Sequence, residues 1–377
     1  MPLRALARVN VAAIERNVAR LRRELDRGAG LCAVVKANGY GHGALAVARA
    51  AIHAGASWLA VATADEAAEL RAGGIDEPIL VMGAISMDEL PVAIRAKADI
   101  VAWNEAFLDA LQAAALPGER IGVHVKLDTG MGRLGTRELD DAIGLATRVL
   151  ESEPTLRLAG AMTHFATADD DRQFVTEQLA RFAPFVEQMR RLESRIIVHA
   201  ANSAATLREP ASHFDLVRCG IAIYGCDPMN QDPAAQELEP ALELTSYLAA
   251  VKRAGPGDTV GYGRRFTATS DTWIGTLPIG YADGIRRALS NNCDVLIGGR
   301  RYPLVGTVSM DNVTVDLGAE PAVSTGAGAT IIGTDHGERL TAEELARRMD
   351  TINYEVLCAI SARVPRAYHR DGEPAAG

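Results

Sequence analysis

Eight times between residues 31 and 225 a short apolar run gives way to a loop and then to an Ala/Glu/Leu-rich stretch, and that alternation constrains the fold more than any single motif. The runs are LCAVVKA (31–37), WLAVAT (58–63), PILVMG (78–83), DIVAWN (99–104), GVHVKLD (122–128), RLAGAMTHF (157–165), RIIVHAAN (195–202) and LVRCGIAIYG (216–225). Each is apolar at consecutive positions, as a strand is when both faces are covered in a parallel sheet. The segments between them carry helix starts. Thr63-x-x-Glu66 and Ser86-x-x-Glu89 read as capping boxes, Asn104 stands at an N-cap position, and residues 171–194 read as one long amphipathic helix. Eight strand–helix units in succession predict an α/β fold, an N-terminal (β/α)8 barrel of the TIM type.

The pattern changes near residue 226. CDPMNQDPAAQELEP (226–240), rich in Pro, Asp and Gln, reads as a linker, and β-type runs follow it, among them LELTSYLAAVKR, TWIGTLPIGY and CDVLIGG. Gly298-Gly299 suits a hairpin turn, and Thr341-x-x-Glu344 caps one short helix. We therefore expect a barrel over 1–234 and a C-terminal mostly β domain over 235–377, and 377 residues suit two domains.

Charge and cysteine usage narrow the function. With 39 basic and 48 acidic residues the net charge is −9, which argues against a nucleic-acid partner. No apolar run is long enough to span a membrane, and MPLRALARVN lacks the core of a signal peptide. The cysteines, Cys32, Cys219, Cys226, Cys293 and Cys358, form no C-x-x-C pair, and the histidines form no H-E-x-x-H. A cytoplasmic protein without a metal site is expected. Of the basic residues only Lys36, Lys97, Lys126 and Lys252 are lysines, so a lysine at a strand–loop junction stands out as an amine.

In such a barrel the chemistry lies at the C-terminal ends of the strands. The side chains there are Lys36 with Tyr40 after it, Lys126 with Asp128 and Arg133, His164, Asn202 with Ser203, and Arg218 followed by Gly220-Ile221. Lys36 reads either as a solvated strand-end lysine or as an amine of lowered pKa that condenses with an aldehyde, as the lysine of a pyridoxal phosphate (PLP) enzyme does. Gly39-x-Gly41-x-x-Ala44 also fits a dinucleotide fingerprint, with Asp65 near the end of the next strand, the reading of an NAD dehydrogenase. The repeated units favour a closed barrel over the open sheet that reading needs.

VVKANGYGHG (34–43) resembles the PLP-lysine motif of bacterial alanine racemases. LDTGMGRLG, THFATAD, ANS, RCGIAIYG, GYG, GYADG, VSMDN and INYEVLCAISARVPR resemble the same family in the same order, over nearly the whole chain. The resemblance implies a homodimeric PLP-dependent isomerase that supplies D-alanine for peptidoglycan. It implies that Lys36 holds the cofactor and acts as one base, and that Tyr262 is the opposing base, delivered to the partner's site. Arg218 would bond the pyridine nitrogen, and His164 would link its surroundings to Tyr262. Tyr40, Asn202, Ser203, Tyr354 and the Gly220 and Ile221 backbone would hold the cofactor. Arg133 and the Met310 backbone would meet the substrate carboxylate, Tyr281 would narrow the entrance, and Lys126 matches a position carbamylated in relatives. Alternative outcomes on the same fold are a serine-preferring or broad-specificity racemase, a PLP-dependent decarboxylase, or a PLP carrier without catalysis. Two bases on opposite faces suit racemisation, because one removes the α-proton and the other returns a proton.

Overall fold

The structure is a computed structural model that describes residues 3–25 and 28–375. The chain forms two compact units: Glu15–Gly39 with Val47–Ile223, and Met1–Ile14 with Tyr40–Ala46 and Tyr224–Gly377.

A first strand, β1 (Leu6–Asn10), belongs to the second unit. Eight strands then build the first: β2 (Gly30–Val34), β3 (Trp58–Val61), β4 (Ile79–Val81), β5 (Asp99–Ala102), β6 (Ile121–Lys126), β7 (Leu156–Met162), β8 (Ile197–His199) and β9 (Leu216–Cys219). They match the eight apolar runs. Every pair is parallel, and the order is sequential from β2 to β8 with β9 beside β2. Backbone bonds from Asp215 N to Val198 O (3.0 Å) and from Arg218 N to Ala201 O (2.9 Å) bring β8 against β9. The result is an eight-stranded near-barrel, and the open doubly wound sheet of the dinucleotide reading is absent from it.

The helix starts follow the predicted chemistry. Thr63 and Glu66 form the expected capping box, Asn104 Oδ1 accepts from Phe107 N at 2.8 Å, and a helix runs over Arg172–Leu192 from an Asp171 cap. Strand interiors such as Leu59, Val81, Ile100 and Val123 are fully buried, which explains their unbroken apolar runs.

The second unit is dominated by strands. Its large sheet runs through Arg300–Pro303, Asp294–Ile297, Gly328–Asp335, Leu242–Tyr247, β1, Arg366–Arg370 and Glu373–Pro374, and a three-stranded sheet joins Ala250–Ala254, Thr272–Leu277 and Val313–Gly318. Gly298 and Gly299, at φ 59° and 75°, make the predicted hairpin turn. The segment read as a linker is partly interior. Cys226 and Asp227 are buried, and Asp227 N donates to Glu343 Oε1 while Asn353 Nδ2 donates to Asp227 O. Its polar composition reflects these internal bonds as well as solvent.

Candidate active site

The turn after β2 has an unusual backbone. Ala37, Asn38, Gly39 and Tyr40 all take left-handed backbone angles, with φ between 50° and 60°. Left-handed geometry costs about 1–2 kcal/mol for each non-glycine residue, and three of these four are not glycine. Such strain persists only where its surroundings fix it. Two bonds do so here: Gly39 N donates to Val35 O (2.9 Å) and Ala37 N to Glu66 Oε1 (2.6 Å). The glycines that follow serve packing within the second unit. A Cβ at Gly41 would lie 2.5 Å from Leu357 O, and one at Gly43 would lie 1.9 Å from Tyr368 Oη. They admit close neighbours and form no dinucleotide turn.

Arg218 is buried in the barrel unit, where its two terminal nitrogens meet four acceptors. Its Nη1 donates to His199 Nδ1 (2.8 Å), and its Nη2 to Thr163 O (2.9 Å), Ala200 O (3.0 Å) and His164 Nδ1 (3.1 Å). A guanidinium only donates, so these contacts fix the tautomers. His199 carries its proton on Nε2 and gives it to His124 Nδ1 (2.8 Å), and His124 in turn donates from Nε2 to Asp99 Oδ2 (3.3 Å). Asp99 also accepts from Arg157 and lines a cavity of about 280 Å³ with Lys97 and Arg120. Burial works against the Asp99 carboxylate, but its bond from His124 and the Arg157 charge hold it below the usual range. His164 has its proton on Nε2, pointing away from Arg218. Burial, reinforced by Arg218, Lys126, Arg133 and Lys36, drives His164 well below an ordinary histidine pKa. Burial and Arg218 do the same to His199. Burial lowers Arg218 itself to about 10, so it remains a cation at neutral pH.

Four cations named from sequence, Lys36, Lys126, Arg133 and Arg218, therefore each act electrostatically on His164 within the barrel unit. Lys126 is 4% exposed and its Nζ has no hydrogen-bond or ion-pair partner among the described residues. Burial beside Arg218 and Arg133 pulls its pKa to about 8, with Asp128 opposing. Asp128 organises the following loop, accepting from Gly130 N (3.1 Å), Gly132 N (3.0 Å) and Arg137 Nε (3.3 Å). Arg133 is exposed on that loop, without an ion pair among the described residues.

At the end of β8, Asn202 caps helix Ser203–Arg208 through Ala205 N (3.0 Å). Ser203 Oγ accepts from Gly220 N (2.9 Å) and Ala222 N (3.4 Å), which leaves its own proton to donate. Ile221 opens the short helical turn after Gly220.

The second unit places the remaining named residues. Tyr40 is buried and stacks on Tyr224, with centroids 4.9 Å apart, and Tyr354 lies 6.0 Å from Tyr40. Burial raises the Tyr40 phenol, keeping it a neutral donor. Tyr262, Tyr281 and Met310 are exposed, at 74%, 43% and 51%. Thr307 Oγ1 holds Tyr262 O (2.7 Å), Tyr281 N donates to Ser309 O (3.0 Å), and Ala282 N to Met310 O (3.1 Å), so their loops are tied together. Gly280 is required there, since a Cβ would come within 2.4 Å of Ser309 O.

Sequence reading missed Asp99, His124, His199 and Gln178. Gln178 lies buried on the long helix and ties Thr129 Oγ1 and His164 O together, both at 3.1 Å. Two signals were available: histidines inside otherwise apolar strand runs, and one amide on the apolar face of the helix.

Two family models match the chain, the alanine racemase N-terminal domain over residues 9–228 and the alanine racemase C-terminal domain over residues 241–368. An alanine racemase of Halalkalibacterium halodurans is 43% identical over 371 residues, covering 97% of this chain and 95% of that protein. Among solved structures, alanine racemase from D-cycloserine-producing Streptomyces lavendulae superposes with a TM-score of 0.93 at 38% identity, covering 98% of both chains. Alanine racemase from Bacillus anthracis with bound L-Ala-P superposes with a TM-score of 0.92 at 36% identity, covering 100% of this chain and 98% of that one.

Proposed function

This chain belongs to the alanine racemase family, and from that premise we propose that it interconverts L- and D-alanine on PLP with Lys36 and Tyr262 as opposing bases. The observation that carries the site assignment is the gathering of Lys36, Lys126, Arg133 and Arg218 around His164. Such a donor set wants anions. A phosphorylated cofactor and an amino-acid carboxylate both supply them, so the residues fit PLP.

PLP, when bound, supplies the electron-withdrawing ring that acidifies the α-proton of an attached amino acid. Lys36 holds it covalently and exchanges a proton on one face of the substrate. Tyr262 does so on the other. Free lysine and tyrosine both titrate near 10, about three units from neutrality, so each needs cationic neighbours to act as a base. Arg218 would hold the ring nitrogen as a donor that keeps its own proton, which would moderate the ring's pull on electrons. His164, with its proton on Nε2, would be the donor that links the surroundings of Arg218 to Tyr262. Tyr40, Tyr354, Asn202, Ser203 and the Gly220–Ile221 backbone hold the cofactor. Arg133 and the Met310 backbone meet the substrate carboxylate, and Tyr281 narrows its approach. L-Ala-P bound to the Bacillus anthracis relative supports an alanine-type ligand for these groups.

Tyr262 is 74% exposed in its own chain, which supports a homodimer in which it serves the partner's site. The unit of Glu15–Gly39 and Val47–Ile223 then carries the cofactor lysine, and the unit that includes Tyr224–Gly377 supplies the second base. Among the described residues no cysteine forms a disulfide and no helix is long and apolar enough to cross a membrane. Both fit a cytoplasmic enzyme that provides D-alanine for peptidoglycan. The test is to strip the cofactor with hydroxylamine and follow the optical rotation of L-alanine. Rotation should decay to zero only after PLP is restored; decay without PLP, or none with it, would overturn the proposal.

A further inference from the structure

Glu66 reaches the left-handed turn behind Lys36 from the neighbouring loop, and its geometry is unusual for a helix cap. Its Oε2 does the ordinary work of a capping box, accepting from Ala62 N (2.8 Å) and Thr63 N (3.2 Å), while Thr63 Oγ1 accepts from Glu66 N (3.2 Å). Its Oε1 leaves that helix and accepts from Ala37 N at 2.6 Å. One carboxylate thus closes three backbone donors on two loops, those following the neighbouring strands β2 and β3.

Ala37 is the first residue beyond Lys36 and the first of the left-handed run. Its N–H direction is set by the peptide plane it shares with Lys36, so holding that N–H fixes the plane from which the Lys36 side chain departs. A different ψ at Lys36 would point this N–H elsewhere and re-aim the lysine stem relative to the turn. Helix capping alone would require only Oε2.

We propose that Glu66 is a positioning residue for Lys36: its carboxylate locks the left-handed turn and so presents the lysine amine to the cofactor. This rests on the reading of Lys36 as the cofactor lysine. The chemistry makes glutamine an informative replacement. A carboxamide has one oxygen, so it can satisfy either the Thr63 cap or Ala37, and its NH2 would face an N–H on the other side.

The experiment compares wild type, Glu66→Gln, Glu66→Asp and Thr63→Ala as purified holoenzymes. Hydrogen exchange is read over the peptide spanning residues 36–39, together with cofactor retention on dialysis, kcat, KM and thermal midpoint. Borohydride reduction and peptide mapping establish whether the cofactor sits on Lys36. Thr63→Ala removes half the cap but leaves the Ala37 bond, so it should lower the midpoint without changing exchange at 36–39 or retention. Glu66→Gln should speed exchange there, shed cofactor faster, and lower kcat about tenfold or more with little change in KM. Glu66→Asp, one methylene shorter, should keep the cap and show the same kinetic loss, which preserves the test should the glutamine variant fold poorly. Exchange and retention unchanged in both Glu66 variants, with Lys36 carrying cofactor, would overturn the proposal. Cofactor mapped to another lysine would instead overturn the reading of Lys36 on which it rests.

Discussion

Lys126 gives a prediction whose size follows from its surroundings. An ammonium that is 4% exposed, unpaired among the described residues, and flanked by Arg218 and Arg133 is a costly arrangement. Its pKa of about 8 is the response. At pH 7.4 an amine of that pKa is about 20% neutral, whereas an ordinary lysine near 10.4 is about 0.1% neutral, an enrichment of about 200-fold. The neutral amine is the form that adds CO2. The resulting carbamate is an anion, so the same arginines that disfavour the ammonium would stabilise it. We therefore expect Lys126 to be carbamylated at ambient bicarbonate and to pair with Arg133. Carbon-13 NMR of protein equilibrated with labelled bicarbonate should show one carbamate resonance, absent from Lys126→Met. Removing CO2 at pH 6, where the amine is almost wholly protonated, should erase the signal and lower activity, and bicarbonate should restore both. No resonance in wild type at saturating bicarbonate, or an equal one in Lys126→Met, would refute the reasoning.

Further outcomes can be checked separately. Gly160→Ala would place a Cβ 2.0 Å from His124 Nδ1, displacing the ring that supports His199 and Arg218; kcat should fall about tenfold or more with far-UV dichroism unchanged, and an unchanged kcat would show that the histidine chain does not serve Arg218. Tyr262→Phe should cut racemisation by about 10²–10⁴-fold while Lys36 still exchanges the α-proton of one enantiomer with solvent; proton NMR in D2O would contradict the two-base assignment if both enantiomers exchanged at wild-type rates. His164 and His199 are held neutral well below their unfolded pKa. Below about pH 6.5 the unfolded chain therefore binds protons that the folded chain refuses, and stability falls as pH falls, by up to about 2 kcal/mol for the pair between pH 6.5 and 5.5. Denaturant midpoints across that range measure it, and a flat profile would argue against neutral burial.

The barrel was legible because parallel strands covered on both faces leave unbroken apolar runs, and all eight runs became strands. The hairpin at Gly298-Gly299 and the caps at Thr63 and Asn104 were legible for equally local reasons. The left-handed turn was hidden because Ala37 and Tyr40 have no preference for it, though Asn38 tolerates it, and its brace, Glu66, is distant in sequence. Asp99, His124 and His199 escaped notice because each sits alone in an apolar run, and only the barrel aligns them behind Arg218. Strand β1 pairs with Leu242–Tyr247 and Arg366–Arg370, partners more than 230 residues away, which no local pattern reveals.

The fate of the α-proton in early turnover reports whether two bases act on opposite faces of alanine. L-Alanine is supplied in D2O to the holoenzyme, and both enantiomers are isolated before the reaction has gone far. With two bases, D-alanine should carry deuterium at the α-position while the remaining L-alanine keeps its proton, because the group that removes the proton is not the one that returns it. Product that retains protium, or label appearing equally in both enantiomers from the start, would point to a single base and contradict the assignment of Lys36 and Tyr262.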